Sequence, residues 1–265
     1  MFSDSSLATG REKLLAAGLS GAGPAARLGL ESSADQWLEG GLAAQGVHEF
    51  FQAGEKDGAA TSGFALLLAA MRQRQHGGAL IWAREDKAAR LGGHPYGPGI
   101  AELGIDTRLL TLLTLPDARA VLKAAFDAAR DAAVSAVVME LVGRQPLLDL
   151  TATRRFALAA LEKDTMTLLV RGKAKPTPSA AHTRWQVAAA PSRALEANAP
   201  GAPAFALDLL RQRGGRDGIR LILEWDRDTA AFHIGDHAAP ATPLSRPSSA
   251  VAAGGAGDAR RPRAA

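Results

Sequence analysis

The sequence predicts an α/β protein with a mostly parallel sheet, helices on both faces, and an antiparallel extension towards the carboxyl end. Between residues 46 and 170, short apolar runs alternate with stretches of helical periodicity. Those runs are apolar throughout, which is typical of parallel strands buried on both faces. After Lys175, short strand-like runs are separated by Gly, Pro and Asp, a pattern that favours antiparallel strands.

The apolar runs and the helical stretches predict the following strands and helices in chain order. Strands are predicted at 46–51, 79–82, 109–115, 136–141 and 165–170, and helices at 63–75, 100–103, 117–132 and 152–162. The first of these helices ends at the pair Gly77 and Gly78, and Pro116 stands directly before the third. The extension comprises strands predicted at 185–190, 205–210, 219–225 and 230–234.

Both ends of the chain differ in composition from the middle. Residues 1–27 are rich in Ala, Gly and Ser and are expected to be a flexible segment with one short helix at 11–17. Residues 236–265 form an Ala/Pro/Arg-rich tail that is expected to be disordered, because it cannot bury enough apolar surface to offset its ordering entropy. Residues 28–235 remain as one core. Residues 238–265 carry three of the four net positive charges, so the rest of the chain is not uniformly basic.

Several classes of function are excluded by residue content. The chain has no cysteine, which excludes disulfides, thiolate zinc sites, iron–sulfur clusters and a cysteine nucleophile. No stretch approaches the ~20 apolar residues of a membrane span, and the amino-terminal residues lack a basic signal region, so we expect a cytoplasmic protein. His233 and His237 flank Asp236, but no third or fourth ligand accompanies them, so no metal site is expected.

A glycine-rich segment after the first strand has the outline of a phosphate-binding loop. It runs from Gly54 to Gly63 and leads into a helix, and Gly58 and Gly63 fit the motif G-x-x-x-x-G-K-[ST]. Phe64 and Ala65 stand where the motif has the lysine that contacts phosphate and the hydroxyl that holds Mg²⁺. We therefore expect no tight Mg-ATP binding and no cofactor. The alternative is a plain glycine-rich turn before a helix.

The order of motifs resembles the RecA core. The segments that carry this resemblance are 28–30, 34–35, 38–42, 81–85, 95–96, 103–106 and 136–140. The resemblance implies that Glu85 matches the catalytic glutamate, that Tyr96 lies near the nucleotide base, and that Glu140 ends the second strand of the nucleotide site. The alternative for Glu85 and Glu140 is that they are solvated or cap a loop, since isolated carboxylates do not hydrolyse ATP.

More specifically, the chain resembles the ImuA family, RecA-like accessory proteins of the bacterial damage-inducible mutasome. The supporting segments are 47–49, 96–99, 148–155, 180–185, 209–215 and 223–226. This resemblance implies a non-catalytic adaptor for error-prone translesion DNA synthesis in the SOS response. The implied partners are the Y-family polymerase-like subunit of the mutasome and RecA. Recruitment to the nucleoid on DNA damage and self-association are further expectations.

Two basic clusters are candidate contacts for DNA or a partner. The resemblance places one DNA-binding loop of RecA after the fifth strand, where this sequence has Arg171, Lys173 and Lys175. Arg211, Arg213 and Arg216 form the second cluster at a strand end. Such cations could hold single-stranded DNA through its phosphates, without base stacking because no aromatic residue accompanies them. The alternative is that both clusters are solvated surface.

Two other functions remain open at this point. The first is a weak ATPase of the RecA superfamily that uses a displaced lysine such as Lys56. The second is a damage-induced inhibitor of cell division, because RecA-related damage-inducible proteins include such inhibitors.

Overall fold

A nine-stranded sheet organises the computed structural model, which describes residues 26–192, 195–196, 199, 201–215 and 217–235. Its strands are β3 (Gly46–Gln52), β4 (Ala79–Glu85), β5 (Leu110–Leu115), β6 (Val134–Val142), β7 (Met166–Gly172), β8 (Thr183–Ala189), β9 (Ala204–Gln212), β10 (Arg220–Asp226) and β11 (Ala231–Ile234). A separate two-stranded ribbon pairs β1 (Arg27–Leu28) with β2 (Leu42–Ala43). The predicted boundary after residue 27 therefore falls inside β1.

The sheet is parallel in one part and antiparallel in the other. Its strand order is β11-β10-β9-β8-β3-β7-β6-β4-β5. Every pair from β8 to β5 is parallel, and the pairs from β8 to β11 are antiparallel. The predicted fold class is confirmed. One detail differs: the strand predicted at 185–190 runs parallel to β3, so the antiparallel extension begins with β9.

Six α-helices are described in these residues. They are α1 (Ser32–Trp37), α2 (Gly58–His76), α3 (Asp86–Gly92), α4 (Gly97–Glu102), α5 (Ala118–Ala129) and α6 (Leu150–Lys163). Asp117 and Asp149 cap α5 and α6, because their carboxylates accept the N–H groups of Ala120 and Ala152 at 2.8 and 2.7 Å. The main differences from prediction are that α2 begins five residues before the predicted Gly63 and that α3 directly follows β4.

Two apolar cores lie on opposite faces of the sheet. Helix α2 packs on one face, where Phe64, Leu67 and Trp185 are buried. Helices α5 and α6 pack on the other, where Val121, Phe156 and Met139 are buried. All nine residues of β6 are buried, which explains why its sequence shows no polar alternation.

The antiparallel strands have one covered and one open face. In β10, Leu221, Leu223 and Trp225 are buried in the α2 core, and the residues between them are partly exposed. This alternation is what an antiparallel sheet solvated on one face requires. The predicted helix at 11–17, the tail at 236–265 and Arg216 lie outside the described residues.

Candidate functional site

A cavity of about 560 Å³ lies at the carboxyl ends of the parallel strands β3, β4, β6 and β7. The amino-terminal end of α2 forms one wall, with Lys56, Gly58 and Ser62 among the lining residues. Arg84 and Glu140 lie on another side. In open α/β sheets, ligands bind in such a crevice outside the carboxyl ends of the strands. This cavity is therefore the candidate ligand-binding site of the fold.

The loop that leads into α2 is shorter than predicted. Helix α2 begins at Gly58, so the loop spans only residues 53–57. Gly63, Phe64 and Ala65 all lie inside the helix. The register that placed Gly58 and Gly63 at the two ends of a phosphate loop is wrong, because continuous helical hydrogen bonding includes both glycines.

Phe64 is a core residue rather than an obstacle in a phosphate site. Its side chain is 1% exposed, and its ring centroid lies 5.7, 5.4 and 5.2 Å from those of Phe50, Phe205 and Phe232. Ala65 is likewise buried. The expectation that this ring replaces the phosphate-binding lysine is corrected: the ring points into the core that joins α2 to β3, β9 and β11.

The first residues of α2 carry no charged or hydroxyl side chain at the positions that the phosphate-binding motif uses. The motif places its lysine and its Ser/Thr hydroxyl where the loop enters the helix, and this helix begins with Gly58, Ala59 and Ala60. The next two hydroxyl groups are already bonded inside the protein. Thr61 donates to the carbonyl of Asp57 at 2.7 Å, and Ser62 donates to the carboxylate of Glu140 at 2.8 Å.

A carboxylate of the loop itself occupies one backbone donor. Asp57 accepts the N–H of Gly54 at 2.8 Å and, through its other oxygen, the N–H of Ala189 at 3.0 Å. The first bond closes the loop, and the second fastens the loop to the end of β8. An incoming phosphate would have to displace this carboxylate to use the Gly54 N–H group.

Glu140 is the centre of a buried polar network at the side of the cavity. Its carboxylate lies 2.6 Å from the Nε of Arg84 and accepts the indole N–H of Trp82 at 3.2 Å. The guanidinium of Arg84 also donates to the carbonyl of Gly93 at 2.9 Å and stacks 4.9 Å from the Trp82 ring centroid. The sequence-based alternative of a solvated or loop-capping Glu140 is wrong, because the residue is 7% exposed and ion-paired.

The two other residues implied by the resemblance to RecA have contacts of their own. Glu85 accepts the N–H of Val142 at 3.1 Å and the side-chain amide of Gln145 at 3.4 Å, so it fastens the turn after β6. Tyr96 is 73% exposed and directly precedes α4. Neither Glu85 nor Tyr96 forms a hydrogen bond with Glu140 in the described part of the chain.

Arg171 does not belong to an exposed basic loop, and its prediction as a contact residue is corrected. It lies in β7, is 2% exposed, and faces the buried carboxylate of Glu49 at 3.8 Å. Burial lowers the pKa of the Arg171 guanidinium, Glu49 acts against this shift, and neighbouring Arg184 adds to it. Lys173 and Lys175 are exposed, and Lys173 also lines the cavity.

Sequence reasoning missed the Glu49 network altogether. Glu49 is fully buried in β3, lies 2.8 Å from the Nε of Arg184, and accepts the hydroxyl of Ser179 at 2.9 Å. The guanidinium of Arg184 also donates to Ser179 Oγ at 2.7 Å and to the carbonyl of Thr177. A glutamate within a mostly apolar strand was the available signal, since such a residue needs a buried cation.

Arg211 and Arg213 do not line the cavity at the strand ends. Both are exposed and line a second cavity of about 490 Å³ beside α6. Their predicted partner Arg216 lies outside the described residues. Two of the three arginines predicted for the second cluster are therefore exposed at this cavity.

The histidines offer no metal centre in the described part of the chain. His48 is fully buried and bonds Thr183 Oγ1 and the carbonyl of Ala43, each at 2.8 Å. Burial lowers its pKa to about 3, so the ring is neutral at ordinary pH. His233 is exposed, and His237 lies outside the described residues. No group of three or more potential ligands from His, Cys, Asp and Glu occurs within the described ranges.

The topology and the position of the cavity define a RecA-like fold. The crystal structure of the RadB recombinase is similar to this chain, with a TM-score of 0.50 over 77% of this chain and 97% of that one. The two sequences are 13% identical, so the likeness concerns the fold. No protein-family model and no curated protein matches the chain. No helix among the described residues is both long and apolar enough to cross a membrane.

Proposed function

We propose that this RecA-like chain is a non-hydrolysing adaptor in damage-induced, error-prone translesion DNA synthesis. The observation that carries the non-hydrolysing part is the Arg84–Glu140 pair beside the cavity. Phosphoryl transfer needs a grip on the phosphates, Mg²⁺ and an oriented water molecule. Here Glu140 is engaged by Arg84, Trp82 and Ser62, and the helix begins with Gly58 and Ala59.

The adaptor part of the proposal rests on the resemblance to the ImuA family. The segments 148–155 and 180–185 support it, and both lie around α6 and the start of β8 in the RecA-like fold. The partners proposed on this basis are the Y-family polymerase-like subunit of the mutasome and RecA. Contact with single-stranded DNA through Lys173 and Lys175 is a further part of the proposal.

Calorimetric titration with Mg-ATP tests the non-hydrolysing part. We expect no saturable binding at micromolar concentrations and no release of phosphate. Micromolar affinity with turnover, lost in Lys56→Ala, would overturn it. Lys123→Ala is the matched control because Lys123 is an exposed lysine of α5, away from the cavity lining.

Complementation tests the adaptor part separately. In a strain that lacks the gene, the wild-type chain and Lys56→Ala should restore damage-induced mutation to the same extent. Purified chain should also bind the purified polymerase-like subunit. Normal mutation frequency in the deletion strain, with filamentation on overexpression, would instead identify an inhibitor of cell division.

One observation favours a second candidate, a weak nucleotide-binding protein. Lys56 and Lys173 both line the cavity, and both are exposed. Two ammonium groups beside a helix amino terminus attract anions. A fluorescent ATP analogue that binds the wild type, and binds Lys56→Ala/Lys173→Ala at least tenfold more weakly, would establish this function without hydrolysis.

A further inference from the structure

The exposed face of α6 carries an unusual stripe of leucines. Leu150, Leu158 and Leu161 are 37%, 57% and 49% exposed, and Arg154 lies between the first two. With Arg154 included, successive members are four, four and three residues apart, which places all four on one side of the helix. Thr153, Phe156 and Ala160 are buried on the other side. Because the helix already packs through that second face, the leucine stripe is not required by the core.

A groove runs beside this stripe, between α6, the segment 178–181 and the end of β9. It has a volume of about 490 Å³, and its lining combines apolar and basic groups. Leu150, Ala157 and Leu158 form the apolar side, and Arg154, Arg211 and Arg213 are its cations. The groove is thus amphipathic, and its single charge sign favours an acidic occupant.

The cations of the groove are available to a ligand. Arg154, Arg211 and Arg213 are exposed, and their side chains form no ion pair or hydrogen bond with another described residue. Their charges therefore have no internal counterpart among these residues, in contrast to Arg84 and Arg184. Three unpaired guanidinium groups around one depression provide bidentate sites for carboxylates.

The far wall of the groove is held in place from beneath. Ser179 bonds to both Glu49 and Arg184, and the N–H of Ala180 donates to Thr153 Oγ1 of α6 at 3.0 Å. These bonds fix the segment that contains Pro178, Ser179 and Ala180 against α6. A preformed wall reduces the entropy that a partner loses on binding.

We propose that this groove docks an acidic amphipathic segment of a partner protein, with aliphatic side chains on the leucine stripe and carboxylates on the three arginines. A protein fits better than nucleic acid because no aromatic residue lines the groove to stack a base, whereas leucines do line it. The chain's own tail fits poorly, since residues 238–265 contain four arginines and one aspartate. This inference goes beyond the proposed function, because it specifies a surface and a ligand chemistry that do not depend on a role in mutagenesis.

Selection from a random peptide display library tests the proposal directly. The wild-type chain serves as bait, and Leu158→Asp serves in the counter-selection. We expect enriched peptides that carry Asp or Glu together with Leu, Ile or Phe at helical spacing. By fluorescence polarisation, Leu158→Asp and Arg154→Glu should each weaken the best peptide about tenfold or more.

Matched variants and a nucleic-acid probe separate the alternatives. Ile234→Asp and Arg119→Glu change an exposed aliphatic residue and an exposed arginine elsewhere, and they should bind the peptide like the wild type. Labelled oligothymidine should bind wild type and Leu158→Asp equally. The proposal is overturned by three outcomes: no acidic peptides are enriched; oligothymidine binding is lost in both groove variants; or wild type is a dimer that Leu158→Asp dissociates. Circular dichroism of every variant checks that the fold is retained.

Discussion

The arginine of the cavity at the strand ends and the arginines of the groove beside α6 differ in whether their charge is paired inside the fold. In the cavity, Arg84 is paired with Glu140 at 2.6 Å and is 3% exposed. In the groove, Arg154 and Arg211 are exposed and have no carboxylate within 4.0 Å among the described residues. The first charge belongs to the fold, and the second is free for a ligand. The charges of the cavity that stay available are instead those of the exposed Lys56 and Lys173.

Removal of Arg84 has the largest expected effect on the free energy of unfolding, because Arg84 is the paired, buried arginine of the comparison. Arg84→Ala leaves the Glu140 carboxylate buried without its cation, which costs about 3–5 kcal/mol of the free energy of unfolding. Urea titration measures this loss. Arg90→Ala is the control, because Arg90 pairs with Asp86 on the surface and its removal should cost about 0.5 kcal/mol or less. Equal losses in the two variants would mean that the cavity pair is not a structural centre.

A histidine that is buried in its neutral form gives the next largest effect on stability. His48 has its pKa lowered to about 3 in the folded chain, against 6.5 as the ordinary value. The unfolded chain therefore binds the proton more readily. The stability contributed by neutral His48 is complete above pH 6.5, and is lost as the pH falls towards 3, at about 1.4 kcal/mol per pH unit.

The pH dependence of unfolding in a variant isolates this contribution. From neutral pH to about pH 5, His48→Gln should lose about 2 kcal/mol less than the wild type. His182 is next to His48, and burial also lowers its pKa, with Arg213 and Arg27 adding to the shift, so the variant should keep part of the dependence. His94→Gln, which changes an exposed histidine, should follow the wild-type curve. A His48→Gln curve with the wild-type slope would contradict the assignment.

The fold could be predicted from sequence because its strongest signals are local and redundant. The continuous apolar run within Val134–Val142 predicts a strand buried on both faces, and the two glycines after His76 end α2 where predicted. Polar loop composition did not reveal where α2 begins. Gly58 and the alanines after it have no strong cap of their own, so the helix extends over a stretch that looks like a loop.

The candidate site was less predictable, because its chemistry depends on partners distant in sequence. Glu140 meets Arg84 from a neighbouring strand, 56 residues away, and Glu49 meets Ser179 across 130 residues. A motif read along the chain gives no information about such pairs. For the same reason Arg171 looked like a loop cation, although its strand continues far enough to bury it.

The cap of α6, the helix beside the groove, gives a smaller effect. The Asp149 carboxylate accepts the N–H of Ala152, so Asp149→Ala should cost about 1 kcal/mol of the free energy of unfolding. Urea titration should show this cost with an unchanged slope. Asp149→Asn is the control, because its side-chain oxygen can still accept the bond and should restore most of the stability. If Asp149→Asn loses as much stability as Asp149→Ala, the charge of Asp149 rather than its capping hydrogen bond stabilises this end of the helix.

Removal of a groove arginine has the smallest expected effect on stability, and this makes it the sharpest test of the comparison. The Arg154 side chain has no internal partner among the described residues, so Arg154→Ala breaks no bond of the fold and should change the free energy of unfolding by less than about 0.5 kcal/mol. Arg84→Ala, measured under the same urea conditions, should differ from it by several-fold. A loss above about 1 kcal/mol in Arg154→Ala would place this guanidinium among the groups that hold α6, and the distinction between paired and available charge would fail. If Arg154→Ala keeps the stability of the wild type but binds the acidic peptide more weakly, then Arg154 serves ligand recognition and not folding.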